Sequence, residues 1–241
     1  TDVNLRVKEK PTGMFSIGAG YSAVDAAVFT ASISQQNLFG RGQSLSLKAS
    51  LGSEVTNFDL SFVEPWLFDI PLWFKTDAWN IVREYDEYDL DSKGFGITFG
   101  YPLWNRLFGS IGYRLSLDDV SNVSWAASSN IKDQEGETTI SSVTVALTRD
   151  TTNDNMFPSE GSKSTASVEY AGLGGDANFV KYNLTSQWFY PLPFDTVFSV
   201  RGRIGYIQTT TDEDDIPTYE RFYLGGINSL RGLRNVGPKD P

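Results

Sequence analysis

The feature that most constrains this chain is a period-two alternation of apolar with polar or small residues. It recurs about eleven times, in segments of about ten residues. In residues 13–22, for example, Phe15, Ile17, Ala19 and Tyr21 alternate with serine and glycine. Successive side chains of a β-strand point to opposite faces, so each segment predicts a strand with one apolar face. Helical periodicity is scarce by comparison, and the sequence predicts an all-β fold.

Two classes of all-β protein share this alternation, the soluble sandwich and the transmembrane β-barrel. A segment of about ten residues is long enough for a tilted strand to cross a bilayer. No run of 18 or more apolar residues is present, which excludes a helical span on length grounds. The polar faces of the later segments carry charged or amide side chains suited to a lumen: Arg114, Lys163, Glu169, Lys181, Asn183, Gln187, Arg201 and Arg203.

The connections between the segments favour the barrel. Every second one is short and contains aromatic residues, Pro or Gly, in residues 37–43, 64–71, 102–107, 149–161 and 190–196. The intervening ones are acidic and in places longer, as in residues 84–89, 118–138 and 210–218. Short turns on one rim and longer polar loops on the other are typical of outer-membrane barrels, with the short turns facing the periplasm. A sandwich has no reason to sort its connections in this way.

Aromatic residues also concentrate near the short turns. The set predicts an interfacial girdle formed by Trp66, Trp73, Trp104 and Trp188 with Phe68, Tyr101, Phe157 and Tyr190. Strand propensity alone would spread aromatic residues along the strands instead.

The composition excludes most enzymes. The chain has no His and no Cys, so Ser-His-Asp and Cys-His catalysis and the usual zinc sites are excluded. Its net charge of -10 argues against nucleic acid as a partner. The carboxylates of residues 212–215 match no calcium-loop spacing and predict a solvated loop. We therefore expect no catalytic residues, no metal and no cofactor.

Several short motifs, in order along the chain, carry a resemblance to a known family. They are residues 3–13, 18–21, 36–42, 64–67, 149–161 and the loop that contains Gly225, Gly226 and Leu230, Arg231, Gly232 and Leu233. In this order they resemble the BamA-like outer-membrane protein assembly factors. Their superfamily joins periplasmic polypeptide-transport-associated (POTRA) domains to a barrel, and includes TamA and the two-partner secretion transporters. The family's loop motif reads Val-Arg-Gly-Phe, so both flanking hydrophobic residues differ here.

The resemblance implies a domain organisation. Residues 1–12 would be the end of a periplasmic POTRA domain with its linker, and residues 13–241 the N-terminal part of an up-and-down antiparallel barrel in the outer membrane of a Gram-negative bacterium. We expect about eleven of about sixteen strands, hence an incomplete barrel from a longer protein. A long extracellular loop would carry Arg231 into the lumen, where it would pair with carboxylates of the missing strands.

The resemblance also implies a function. The first strand, with Gly13, Phe15, Ile17, Gly18, Gly20 and Tyr21, would form a weak lateral seam at which a client strand adds by β-augmentation. Its glycines weaken pairing, or alternatively make room for the interior loop. Implied partners are unfolded outer-membrane proteins, accessory lipoproteins and membrane lipid. A two-partner secretion pore and a diffusion porin are the alternatives.

The lumen cations carry two interpretations of their own. Arg114, Lys181, Arg201 and Arg203 could be the selectivity charges of a pore. Buried ion pairing with the loop is the interpretation that we favour.

Overall fold

The computed structural model describes residues 12–22, 26–85, 87–211, 216–225 and 229. These residues form one sheet of 11 antiparallel strands in sequence order, with β1 and β11 at its two edges. The strands are β1 Gly13–Ser22, β2 Ala26–Leu38, β3 Gln43–Gly52, β4 Val55–Glu64, β5 Trp73–Glu84, β6 Asp89–Trp104, β7 Leu107–Ser121, β8 Gly136–Asp150, β9 Gly161–Ala171, β10 Phe179–Leu192 and β11 Thr196–Thr209. The predicted all-β, up-and-down antiparallel architecture is confirmed.

Helical structure is confined to connections. A short helix, α1, spans Ser129–Lys132, and single 3-10 turns span Leu67–Asp69 and Thr218–Glu220. Within the described ranges, no helix has the length and apolar character needed to cross a membrane.

The strand register confirms the predicted division into two faces, because residues paired across antiparallel strands share a face. One face pairs apolar residues, for example Phe95 with Leu115 and Ile111 with Val145. The other pairs polar residues, for example Glu169 with Lys181. We call the latter the inner face, because the described part of the segment that follows β11 packs against it. The apolar outer face is widely exposed, as expected of a surface that contacts lipid.

The connections lie on two rims. The turn rim carries residues 39–42, 65–72, 105–106, 151–160 and 193–195, and the opposite loop rim carries residues 53–54, 85–88, 122–135 and 172–178. The predicted sorting by length is only partly correct. Residues 151–160 form a long connection on the turn rim, whereas residues 53–54 form a tight one on the loop rim. The predicted loop 118–138 is also shorter than expected, because β7 and β8 extend into it from both sides.

The aromatic girdle needs one correction. Tyr101, Trp188 and Tyr190 lie on the outer face near the turn rim, as predicted. Trp73 instead lies on the inner face, where it pairs with Gly100 and its ring meets the Phe108 ring edge-on at 6.3 Å. The indole therefore fills space inside the sheet and does not contact lipid. The alternation could not show this, because Trp73 begins its strand next to another aromatic residue, Phe74.

The buried core sits on the inner face near the loop rim, in two apolar clusters. The first comprises Tyr88, Leu90, Val120, Ala127 and Ile131. The second comprises Ile140, Ala171, Ala177, Phe179 and Ile216. Tyr219 packs against both clusters and so joins them. The loops therefore fold inward over this end of the sheet, burying apolar surface that the strands alone would leave open.

Candidate functional site

The segment that follows β11 is held on the inner face by a buried carboxylate. The Glu220 side chain lies between two cations on the inner face of the sheet, which we call the wall. Its Oε1 is 2.9 Å from Arg114 Nη2 and its Oε2 is 2.8 Å from Lys181 Nζ. Arg114 Nη2 also lies 2.8 Å from Glu169 Oε1, which accepts a further 2.8 Å bond from the Ser142 hydroxyl. We call Arg114, Glu169, Lys181 and Glu220 the anchor network. Two cations face two carboxylates in it, so the buried charges balance.

The electrostatics favour an ionised Glu220. Burial by itself raises the pKa of this carboxyl, but attraction to Arg114 and Lys181 and their hydrogen bonds outweigh burial and hold the pKa below its ordinary value. Glu220 is only 8% exposed, so water screens these contacts little. Removing one member would leave a buried charge without compensation, which is costly in proteins.

A second contact fixes the same segment from the loop between β7 and β8. The Gln134 amide donates from Nε2 to the Ile216 carbonyl oxygen at 3.2 Å. Its Oε1 accepts from the Thr218 backbone N–H at 2.7 Å and from the Thr218 hydroxyl at 2.8 Å. One side chain thus satisfies three polar groups of a segment that no strand ladder holds.

A third contact uses a glycine of the wall. Gly205 lies on the inner face of β11, and a Cβ atom there would collide with the ring of Phe222. The same ring lies under the Lys181 ammonium, with Nζ 5.3 Å from its centroid, within cation–π range. The absent side chain at position 205 therefore provides the space that the Phe222 ring occupies.

These contacts decide part of the prediction for the lumen cations. Arg114 and Lys181 pair with the loop, as we favoured, through Glu220. Arg201 and Arg203 lie on the inner face of β11, are exposed, and form no ion pair within the described residues. The motif residues Leu230, Arg231, Gly232 and Leu233 lie outside the described residues, as does the acidic run 212–215. Sequence reasoning missed Glu220 and Gln134, because a single Glu or Gln in a loop carries no periodic signal.

The predicted seam strand, β1, pairs with β2 from Gly13 opposite Gln35 to Ser22 opposite Ala26. Within the described residues its other edge pairs with no strand. The side chains of Phe15, Ile17 and Tyr21 lie on the outer face and are 63%, 74% and 83% exposed.

The glycines of β1 differ in their surroundings. Gly18 and Gly20 lie on the inner face, and a Cβ at Gly18 would meet only the Thr30 hydroxyl, at 3.0 Å, while one at Gly20 would meet nothing within 4 Å. The described part of the loop therefore does not occupy the space over these two glycines. Gly13 is tighter, because a Cβ there would lie 2.8 Å from Gln35 Oε1.

Hydrogen bonds besides the strand ladder connect β1 to β2 at its base and near its middle. Gln35 Nε2 donates to the Thr12 hydroxyl at 2.7 Å, and the Gln36 N–H donates to the Thr12 carbonyl oxygen at 3.2 Å. Further along, one hydroxyl pair, Ser16 with Ser32 at 2.7 Å, bridges the two strands.

No metal centre is formed by the described residues, among which no group of three or more Asp, Glu, His or Cys is placed to hold an ion.

The fold and the anchored loop define a class of protein, an outer-membrane-type barrel with a loop folded into it, and comparison with known proteins gives the family. The Omp85 superfamily domain matches residues 37–241. The chain therefore belongs to the Omp85 superfamily, as its motifs predicted.

Among curated relatives, the outer membrane protein assembly factor BamA of Nitratidesulfovibrio vulgaris is 35% identical over 245 residues, covering 100% of this chain and 31% of that protein. BamA of Neisseria meningitidis is 26% identical over 261 residues, covering 99% and 32%. The sorting and assembly machinery component 50 homolog of Mus musculus is 28% identical over 214 residues, covering 84% and 44%. The chain thus spans about a third of the length of the bacterial relatives.

Solved structures confirm the fold. BamA from Haemophilus ducreyi lacking POTRA domains 1-3 superposes with a TM-score of 0.80 at 22% identity, covering 96% of this chain and 48% of that one. CdiB from Acinetobacter baumannii superposes with a TM-score of 0.54 at 15% identity, covering 92% and 42%.

Proposed function

We propose that this chain is part of an outer-membrane β-barrel assembly factor, which folds client outer-membrane proteins and inserts them at a lateral seam formed by its first strand. The relatives named as assembly factors, in two bacteria and in the mouse sorting and assembly machinery, support the general function. The observation that carries the seam is β1 itself, in which Gly18 and Gly20 lie on the inner face without side chains that could pack against β2.

The physical need for such a seam follows from the bilayer. A backbone N–H or C=O without a partner in hydrocarbon costs several kcal/mol, so an unfolded strand enters lipid at great expense. A strand edge that offers its own N–H and C=O groups satisfies the client backbone as it enters. A glycine in β1 contributes no side chain that could pack against a neighbouring strand. The strand that pairs with β1 is therefore held less tightly, and a client strand can take its place more easily.

The placement that we infer follows from the same proposal. The barrel would lie in the bacterial outer membrane, with the turn rim and a POTRA domain ending at residues 1–12 on the periplasmic side and the loop rim outside. Partners would be unfolded clients, accessory lipoproteins and membrane lipid, and no chemical reaction would be catalysed. The buried clusters and the anchor network occupy the inner face near the loop rim, which favours an assembly factor over an open secretion pore or a diffusion porin.

The test uses the full-length protein in liposomes and follows a urea-unfolded outer-membrane barrel protein as it gains its heat-resistant folded form. We expect faster folding than in empty liposomes, and a smaller acceleration for Arg231→Ala. No acceleration, together with steady ion conductance across the vesicle membrane, would contradict the assembly function and favour a secretion or diffusion pore.

A further inference from the structure

We propose that Glu220 is a positioning residue: its ion pairs with Arg114 and Lys181 fix segment 216–225, which precedes the 230–233 motif along the chain, in one position on the inner face. This inference rests on the proposed function and adds a residue to it. It concerns the described segment 216–225 and the wall that the segment contacts.

Backbone structure holds this segment only weakly, because its described residues form no strand and have a single β-bridge, at Leu224. Among the described residues beyond β11, the one helical element is the 3-10 turn Thr218–Glu220. A segment without a ladder is positioned by its side-chain contacts or drifts among several conformations. The segment contacts the sheet and its loops through the anchor network, the Gln134 amide, the Phe222 ring over Gly205 and the apolar clusters that Ile216 and Tyr219 join.

The anchor network is directional in a way that apolar contacts are not. Glu220 uses both carboxylate oxygens, one for each cation, and the two cations come from different strands, β7 and β10. A carboxylate that bridges two fixed donors has one position that satisfies both. Apolar packing, by contrast, allows the segment to slide. The apolar clusters therefore stabilise the segment, whereas Glu220 fixes its position on the inner face.

The wall side of the network is built independently of the loop. Glu169 lies on β9, between β8 and β10, and holds Arg114 at 2.8 Å without any contribution from the segment. Arg114 is therefore kept in place when the loop is absent, and the loop docks onto a prepared site. A simple exchange of charges cannot restore the site, because a carboxylate at position 114 would face Glu169.

Gly225 and Ser229 lie between the anchor and the motif along the chain. Gly225 lies five residues after Glu220, and its N–H and carbonyl oxygen bond the Ser229 hydroxyl at 2.6 and 2.7 Å. The Ser229 hydroxyl thus ties residue 229 back to Gly225. A displacement of Glu220 would therefore reach Gly225 and, through these two bonds, Ser229.

The experiment measures loop position and activity separately. In full-length protein carrying Ile216→Cys, a thiol is placed at a site that is 8% exposed while the segment is seated, in a stretch with no native cysteine. The rate of labelling by a charged maleimide reports release of the segment, and client folding in liposomes reports function. Glu220→Gln keeps the side-chain length without the charge, and Glu220→Asp keeps the charge with shorter reach.

The matched control is Asp150→Asn, which breaks the 2.9 Å Lys163–Asp150 ion pair on the same inner face but near the turn rim. We expect Glu220→Gln to raise the labelling rate about tenfold and to slow client folding by a similar factor, because it leaves Arg114 and Lys181 short of a buried counter-charge. Glu220→Asp should bring the labelling rate and the rate of client folding part of the way back to the parent values. Asp150→Asn should change neither by more than about twofold.

Labelling at the parent rate in Glu220→Gln would overturn the proposal, as would faster labelling with client folding unchanged. If the parent does not accelerate clients while Glu220→Gln labels faster, the proposed function fails and the anchoring of the segment is supported. Should Glu220→Gln not assemble, Gly205→Ala displaces Phe222 without altering any charge and should raise labelling in the same direction. Unchanged labelling there would also count against the proposal.

Discussion

At the scale of single residues, the inner face depends on glycines that leave room for large neighbours. A Cβ at Gly94 would collide with the Trp79 ring and lie 2.5 Å from the Leu115 carbonyl oxygen. The backbone oxygen cannot move away, so Gly94→Ala should destabilise the barrel by about 1–3 kcal/mol. Gly202→Ala is the control, because its Cβ would meet nothing within 4 Å. The midpoints of urea unfolding in lipid vesicles test this, and equal midpoints would contradict it.

The lowered pKa of Glu220 predicts how the stability of the folded protein depends on pH. Its pKa is lower in the folded protein than the ordinary 4.5, so its contribution to stability is complete above about pH 4.5 and is lost as the pH falls through the folded value. The charged groups that face this region are Arg114, Lys181, Glu169 and Asp118. The urea midpoint of the parent should exceed that of Glu220→Gln at pH 7, and the two should converge at low pH. A constant difference down to pH 3 would contradict this assignment.

At the scale of elements, the connection between β8 and β9 is long but ordered by side chains that accept from its backbone, Asn153 among them. Asn153 Oδ1 accepts from the N–H groups of Ser159 and Glu160 at 3.0 and 3.2 Å, and Nδ2 donates to the Ser159 hydroxyl at 2.7 Å. Asn153→Ala should loosen the turn by about 1–2 kcal/mol and speed its cleavage by an added protease. Ser159→Ala removes one of these bonds and should have a smaller effect. Equal cleavage rates for the two variants would show that Asn153 does not organise the turn.

The first strand gives a second prediction at this scale. Gly20 lies opposite Val28 on the inner face with open space above it, so Gly20→Val can form a β-branched cross-strand pair. We expect slower hydrogen exchange in β1 and client folding slowed severalfold, because the strand exchanges its partner less readily. Gly202→Val, in edge strand β11, should leave β1 exchange unchanged. Slower exchange with undiminished client folding would argue against a seam at β1.

At the scale of the whole molecule, sidedness is the testable property. Leu60 and Ser61 are neighbours near the middle of β4, but Leu60 lies on the outer face and Ser61 on the inner face. An arginine on the lipid side near the bilayer centre costs about 2–4 kcal/mol, whereas a lumen arginine costs little. Leu60→Arg should therefore reduce the heat-resistant fraction of full-length protein in vesicles far more than Ser61→Arg. The reverse order would mean that the two faces are assigned the wrong way round.

Much of this architecture could be predicted from sequence because a strand's period of two is a local property. The apolar set of β6, with Phe95, Phe99 and Tyr101, and the lumen set with Arg114, Lys181 and Arg203 all lie on the predicted faces. Trp73 was misplaced because adjacent aromatic residues at a strand start satisfy either register. Loop lengths were misjudged where strands continue through polar residues, as β7 does through Asp118 and Asp119.

By itself, then, the sequence determined the strand count, the order of the strands, the two faces and the family, since each depends on residues close together along the chain. Only the tertiary structure decided which lumen charges meet. Glu220 is separated by 106 residues from Arg114 and by 39 from Lys181, and Gln134 by 84 from Thr218. Such pairings depend on how the sheet curves and where a loop returns, and a single carboxylate in a loop has no pattern that reveals its partner.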